Sequence, residues 1–306
     1  MDNQENNQRK TNALAPIALF AFKRPAHTCR TLESLAQNPE FSNSHLFIYC
    51  DGARNDTEAS QVEETRQLMR NWQHPNKTII ERDRNWGLAN SIIEGVTELC
   101  ERFGRVIVVE DDLIVSPVFL NYLNAALERY VDEPKVMQVS AHMFPVEIHS
   151  QTDAVMLPFT TSWGWATWDS AWKYFDPSMS GFEKLKADSA MRRKFNLDGA
   201  YPYFRMLKRQ AKGQVDSWAI RWYSSVFFQN GYVVFPKHSL VQHEGYDETA
   251  THATRRDQPS VKALWGAQIS RFPNVVCDED AYIAVLKFFR TEKSLLKRLL
   301  GRIGFA

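Results

Sequence analysis

The chain has 306 residues, more than one ordinary domain needs and fewer than two full ones take, so one enlarged domain or one domain with a fused lobe is expected. Hydrophobic residues are 44% and charged residues 24%, the balance of a globular protein with a sizeable core. A net charge of +1 excludes a long-range field toward nucleic acid, so a phosphate-bearing ligand would need a local basic site.

Met1 to Asn12 is polar and lacks the apolar centre of a signal peptide, and residues 1–13 are expected to be a disordered lead-in. Pro16 to Phe22 is an apolar run of strand length, followed by Lys23-Arg24-Pro25 and a helix over Thr28 to Ala36. His45 to Tyr49 predicts a second strand, ending at Cys50-Asp51-Gly52. Asp56 to Trp72 predicts a charged amphipathic helix capped by Asp56 or Thr57. Lys77 to Glu81 is a third strand, and Asn85 to Phe103 contains a helix with Leu88, Ile92, Val96 and Leu99 on one face. Arg105 to Val109 is a fourth strand. This alternation predicts an α/β fold with a mostly parallel sheet and helices on both faces. Ligands of such sheets bind beyond the carboxyl ends of the strands, where Lys23-Arg24, Asp51 and Glu110-Asp111-Asp112 all fall.

After Ser116-Pro117 a helix is expected to about Tyr130, then a strand over Val136 to Ser140. Ala141 to Gly181 reads as aromatic and irregular, with one helix over Ala166 to Tyr174. Two or three helices follow from Phe182 to Gln229, then a final strand over Tyr232 to Phe235. His238 to Arg256 reads as an ordered loop and Asp280 to Arg302 as a helical tail. The expected organisation is a domain over 14–260, divided at 116 into a nucleotide-binding half and an aromatic-rich acceptor half, with a tail over 261–306.

Six of the nine tryptophans lie between Trp163 and Trp222. Their flat faces suit both a core and the apolar face of a sugar ring. The four cysteines lie far apart with no CxxC spacing, which argues against a zinc site or a disulfide framework and suits a reducing compartment. No apolar run is long enough to span a membrane.

The most informative stretch is Val106 to Asp112, where four hydrophobic residues run into three consecutive acids. Carboxylates discharged together at a buried strand end repel one another unless a cation is near. Oxygen ligands suit a hard divalent ion, Mg²⁺ or Mn²⁺, which also takes substrate phosphate oxygens. The same residues also fit a solvated acidic strand end beside a helix N-terminus, where acids are favoured.

Glu110-Asp111-Asp112-Leu113 followed by Ser116-Pro117 resembles the E-D-D-L-x-x-(A/S)-P stretch of N-acetylglucosaminyltransferase I and its relatives, glycosyltransferases of the GT-A fold. Pro16 to Arg24 resembles that family's opening strand ending in arginine, and Cys50-Asp51 its second strand. Ser140-Ala141, Gly164-Trp165 and Asp216-Ser217-Trp218 follow in the family's order. Asn85-Trp86-Gly87 with Asn90 is similar to an N-x-G segment of many GT-A enzymes. The similarity runs from Pro16 to Phe235. Val241 to His252 resembles a segment of bacterial glycosyltransferases from surface-polysaccharide clusters.

The resemblance implies roles by position. Asp112 would bind the metal, Asp111 the ribose hydroxyls and Glu110 the donor sugar. Arg24 would lie against the nucleotide and Asp51 would accept a hydrogen bond from the base; an arginine fork suits phosphate or a base face, and a carboxylate suits a diol or an N–H. Arg24 before Pro25 also fits a plain helix-entry residue. Gly164 and Trp165 would line the donor-sugar pocket, with Trp163 and Trp218 as weaker contacts. His252 would reach the diphosphate or the metal from a loop that also carries His243 and Asp247. Asp216 would be the catalytic base, removing the acceptor proton as the new bond forms and inverting the anomeric centre; it also fits a helix N-cap.

The expected function is a metal-dependent inverting glycosyltransferase using Mn²⁺ or Mg²⁺ in surface-polysaccharide or glycoconjugate synthesis. A UDP-sugar donor, N-acetylglucosamine included, follows from the resemblance alone; the acceptor would be a glycan or lipid-linked glycan. The alternatives are a non-catalytic glycan-binding or assembly subunit on the same fold, and a sugar nucleotidyltransferase. The latter expects a glycine-rich loop where this chain has Phe22-Lys23-Arg24-Pro25-Ala26. A cytoplasmic location is expected. The tail, with Leu295, Leu296, Leu299, Leu300 and Ile303 beside Lys297, Arg298 and Arg302, fits peripheral contact with the inner face of an anionic membrane, packing on the body, or a subunit contact.

Overall fold

The computed structural model describes residues 14–245 and 264–302. The first half runs β1 (Ile17–Ala21), α1 (Pro25–Ala36), β2 (Leu46–Cys50), α2 (Asp56–Asn71), β3 (Lys77–Glu81), α3 (Leu88–Phe103), β4 (Arg105–Glu110) and β5 (Leu113–Val115). There follow α4 (Phe119–Arg129), β6 (Val136–Ser140), β7 (Ala154–Leu157), β8 (Trp165–Trp168) and α5 (Asp169–Trp172). Then come α6 (Phe182–Ala187), α7 (Ser189–Phe195), α8 (Tyr203–Ala211), α9 (Trp218–Phe228), β9 (Tyr232–Pro236), β10 (Val241–His243) and α10 (Glu279–Arg302).

Eight strands form one mostly parallel sheet in the order β3-β2-β1-β4-β8-β6-β9-β7, flanked by helices. The pairs β3–β2, β2–β1, β1–β4 and β6–β9 are parallel. Strand β8 runs antiparallel between β4 and β6, and β7 antiparallel to β9. Every residue of β1 and β2 is buried, which is why both read as unbroken apolar runs without alternation. Helix α3 presses Ile92, Val96 and Leu99 into this core, each fully buried.

Several sequence expectations are corrected. Trp165 to Trp168 is a strand and not the start of a helix. All four of its residues are buried at the centre of the sheet, so neither period 2 nor period 3.6 marks it. Ala154 to Leu157 is likewise a strand, and four helices rather than two or three occupy the stretch from Phe182 to Phe228. Tyr232–Pro236 is not the final strand, because Val241–His243 pairs antiparallel with Leu113–Val115 in a separate two-stranded ribbon. The N-cap of α2 is Asn55 in extended backbone; Asp56 and Glu58 in the first turn complement the helix dipole. Leu88 is 40% exposed, unlike its expected partners on α3.

A second apolar cluster gathers residues from Met143 to Phe289, among them Phe159, Phe195, Tyr223 and Phe235. Ala281, Val285, Leu286 and Phe289 of α10 are buried in it, so the first part of the tail packs on the body. The segment before α10 is tied down as well: Tyr130 donates from Oη to the Pro273 carbonyl at 2.6 Å, and Asp153 accepts from both the backbone and the guanidinium of Arg271. The apolar set from Leu295 onward falls on side chains outside the described residues, as do Asp247 and His252. No helix among the described residues is long and apolar enough to cross a membrane.

Trp165 is fully buried, with its ring stacked on Trp218 at 5.0 Å and tilted against Trp172 at 5.9 Å. Trp165→Ala is therefore expected to destabilise the chain by ~3–5 kcal/mol in denaturant unfolding, whereas Leu88→Ala should change stability by less than about 0.5 kcal/mol. Similar losses for the two variants would contradict the placement of both residues.

Candidate active site

Strands β1, β2 and β4 are parallel neighbours, so their carboxyl ends open on one edge. Phe20 is in register with Glu110, and Ala21 with Cys50. The residues just beyond these pairs meet in a cavity of about 520 Å³. Arg24, Asp51, Glu110, Asp111, Asp112 and Asp216 all line it. Phe20, Phe22, Tyr49 and Leu88 supply apolar wall, which accounts for the exposure of Leu88. The volume lies within the ~300–1,000 Å³ that small-molecule sites occupy.

The three acids are held differently. Asp111 accepts the Phe22 N–H on Oδ2 at 3.0 Å, and its carbonyl takes the Thr31 hydroxyl at 3.0 Å. Asp112 accepts Arg24 Nη1 on Oδ2 at 3.1 Å, and His243 Nε2 lies 3.4 Å from the same oxygen. Its other oxygen, Oδ1, is buried and has no hydrogen-bond partner among the described residues. Desolvation, followed by the charges of Asp112 and Asp111, raises Glu110 well above the ordinary carboxylate range. Desolvation and Asp112 push Asp111 up to about 7, against the opposing pull of the Phe22 N–H and Arg24.

The pairing of β10 with β5 sets His243 opposite Leu113, the residue after the acids. Gly245 donates its N–H to His243 Nδ1 at 3.2 Å, so in the neutral imidazole the proton sits on Nε2, facing Asp112. Burial is the largest cause lowering the His243 pKa, and the nearby Asp112 opposes it. Trp163 stacks on the imidazole at 4.9 Å and fixes its plane. At position 245 a Cβ would lie 2.2 Å from Asp112 Oδ2, so any larger residue there would have to displace the Asp112 carboxylate. His243 therefore meets the acidic centre, although its loop setting gave it little weight in the sequence.

Asp51 is buried and already engaged. Oδ1 accepts the N–H groups of Gly52 at 2.9 Å and Trp86 at 2.7 Å, and Oδ2 accepts that of Gly87 at 2.8 Å. The carboxylate thus pins the 85–87 turn to the end of β2, and only its remaining lone-pair capacity is open to a ligand. Arg24 is 8% exposed and is an ion-pair partner of Asp112, and it also stands at the N-cap of α1 as a helix-entry residue.

Asp216 stands at the cavity with its side chain 56% exposed, and its Oδ1 accepts Arg221 Nη2 at 2.7 Å. It is not the helix cap: Ser217 fills that position on α9, accepting the Ile220 N–H. Neither Gly164 nor Trp165 lines the cavity. The close approach at Gly164 is to Phe119 and Val241, where a Cβ would come within 2.8 and 2.9 Å, and Trp165 and Trp218 are core. Arg54 was missed by sequence reasoning. It lines the cavity, lies 5.3 Å over the Phe22 ring and shares Glu58 with Lys23. Its one sequence signal is its place three residues past Asp51.

Among the described residues no three His, Cys, Asp or Glu side chains are grouped to hold a metal ion. The arrangement still fits one. Mg²⁺ is commonly held by one or two carboxylates plus ligand phosphates and water, and Asp112 Oδ1 is a buried acceptor without a partner among the described residues.

No protein-family model matches the chain, and no curated protein matches it. Among solved structures it is similar to a mannosyltransferase from Pyrobaculum calidifontis in complex with GDP-Man and Mn²⁺, at 14% identity and a TM-score of 0.34, covering 54% of this chain and 50% of that one. It is similar to galactosyltransferase LgtC with donor and acceptor sugar analogues, at 12% identity and a TM-score of 0.34, covering 56% and 65%. It is also similar to 4-diphosphocytidyl-2C-methyl-D-erythritol synthase from Anaerococcus prevotii, at 14% identity and a TM-score of 0.31, covering 57% and 76%. The chain thus spans 50% to 65% of the length of the two transferases. Likenesses at this level leave function to the site itself.

The raised pKa values of Glu110 and Asp111 mean that the folded chain holds protons which the unfolded chain releases from about pH 4. Their contribution to stability therefore falls as pH climbs from about 4 through about 7. Asp111→Asn keeps an acceptor for Phe22 and removes one charge. Its melting temperature should drop less than that of the natural chain between pH ~5 and ~8; a larger drop would refute the crowding.

Proposed function

We propose that the chain is a glycosyltransferase that takes a sugar from a nucleoside-diphosphate donor and passes it to a glycan hydroxyl with inversion. One observation carries this reading: the acidic triplet, Asp51, Arg24 and Asp216 all face one cavity at the carboxyl ends of parallel strands. The apolar wall of Phe22, Tyr49 and Leu88 suits a base and the acids suit sugar hydroxyls.

Asp112 would hold a divalent cation, Mn²⁺ or Mg²⁺, through Oδ1. When bound, such a cation supplies Lewis-acid stabilisation of charge on a departing diphosphate. Arg24, and His243 through its Nε2–H, are placed to donate to a diphosphate oxygen once released from Asp112. Glu110 accepts from donor-sugar hydroxyls and Asp111 from the ribose. Asp51 acts on the nucleotide chiefly by holding the 85–87 turn.

In the transfer step the acceptor oxygen bonds to the anomeric carbon as that carbon's bond to the diphosphate oxygen breaks, and the acceptor proton passes to Asp216. The carboxylate needs to take that proton only late, when the hydroxyl has become acidic. Arg221 fixes one Asp216 oxygen and leaves the other for the proton. A UDP-sugar donor, N-acetylglucosamine among the candidates, remains part of the proposal on resemblance alone. A sugar nucleotidyltransferase is less well supported, because α1 starts at Pro25, four residues after β1 ends, and leaves no glycine-rich phosphate loop. Pyrophosphate release from a nucleoside triphosphate would favour it.

A thermal-shift panel of UDP, GDP, dTDP and CDP, with and without Mn²⁺, tests the reading. One diphosphate at a hundred times its Kd should stabilise the chain by about 2.7 kcal/mol, and only with the metal. Asp112→Ala should abolish that stabilisation. Asp216→Asn should keep it while transfer falls ~10²–10⁴-fold. No response to any diphosphate would instead favour a non-catalytic glycan-binding subunit, and full activity in excess EDTA would remove the metal role.

A further inference from the structure

The charge of the chain is balanced as a whole but not locally. From Phe182 to Lys212 there are nine lysines and arginines against three acids, in a chain with 37 and 36. This stretch folds into α6, α7 and α8, which pack on one another, with α8 also against α9. Lys194, Arg205, Lys208, Arg209 and Lys212 are exposed and make no ion pair among the described residues. Elsewhere many arginines are matched, Arg54 with Glu58, Arg70 with Glu81, Arg102 with Glu98 and Arg271 with Asp153, and exposed cations without an ion pair among the described residues, such as Arg129, Lys135 and Lys173, are scattered rather than gathered on one helix. A cluster of unmatched cations on one lobe creates a local positive potential that attracts an extended polyanion.

The lobe leads directly to the proposed base. Lys208 and Arg209 lie in the last turn of α8, and Lys212 stands four residues before Asp216. Gln210 Oε1 accepts the Ser217 N–H at 2.6 Å, tying the basic helix to the residue after Asp216. The surface is not built to enter a bilayer. Leu185, Phe195 and Leu207 face inward, and Met206 is the exposed large apolar side chain on α8; an interfacial helix presents its apolar face outward.

We infer that the acceptor is a polyanionic glycan whose carboxylates or phosphates run across α6–α8 and so bring a hydroxyl to Asp216. This rests on the transferase reading. The test uses the full chain with polygalacturonate as probe, neutral dextran as control and phosphatidylglycerol vesicles as the membrane arm. Polygalacturonate should bind and dextran should not. Arg205→Glu/Lys208→Glu/Arg209→Glu should weaken binding at least about tenfold, and the milder Lys208→Gln/Arg209→Gln pair about threefold. Reversal of three exposed cations elsewhere, at Arg129, Lys135 and Lys173, should change it less than about twofold. Melting temperature and nucleotide stabilisation should be unchanged in all three. Equal weakening in lobe and control variants, failure of polygalacturonate to bind, or preference for vesicles would overturn the inference. Absence of nucleotide stabilisation in the natural chain would sink the transferase reading, while the polygalacturonate arm still decides whether the lobe takes polyanions.

Discussion

Three carboxylates crowd together where β4 ends, and the chain sets the guanidinium of Arg24, from just beyond the neighbouring strand, against them. Like charges in a partly desolvated site cannot all ionise cheaply. The surroundings of the acids follow from that constraint. The parallel pairing of β1 with β4 brings Arg24 alongside, the ribbon of β5 and β10 brings His243, and Gly245 lets the backbone come close to the Asp112 carboxylate, which a Cβ would displace.

The end of β2 handles its acid in the opposite way. Asp51 meets three backbone N–H groups, so its charge is compensated by amide dipoles and serves to shape the wall. One edge of a single sheet therefore carries a carboxylate locked into architecture and a set left strained in charge.

How far the sequence foretold this depended on how local each signal was. The first four strands and their helices were legible because each is a contiguous run bounded by its own turn residues, and the convergence of Arg24, Asp51 and Glu110 to Asp112 follows from their order alone. Trp165 to Trp168 was misread because a strand buried on both faces carries no alternation, and its tryptophans suit a helix or a binding wall equally well. His243 was underrated because its partner lies far back in the chain and meets it only through β5 and β10. Gly164 was read as lining the donor-sugar pocket, but its close neighbours are Phe119 and Val241 and it does not line the cavity. Arg54 had no motif to mark it and becomes visible only through the cavity.

The stacking of Trp163 on His243 has an optical consequence. Whatever draws the imidazole away from Asp112 alters the surroundings of one indole out of nine, at the rim of the acidic centre. Emission from that indole would then register occupancy of the centre without any label, on the timescale of arrival itself.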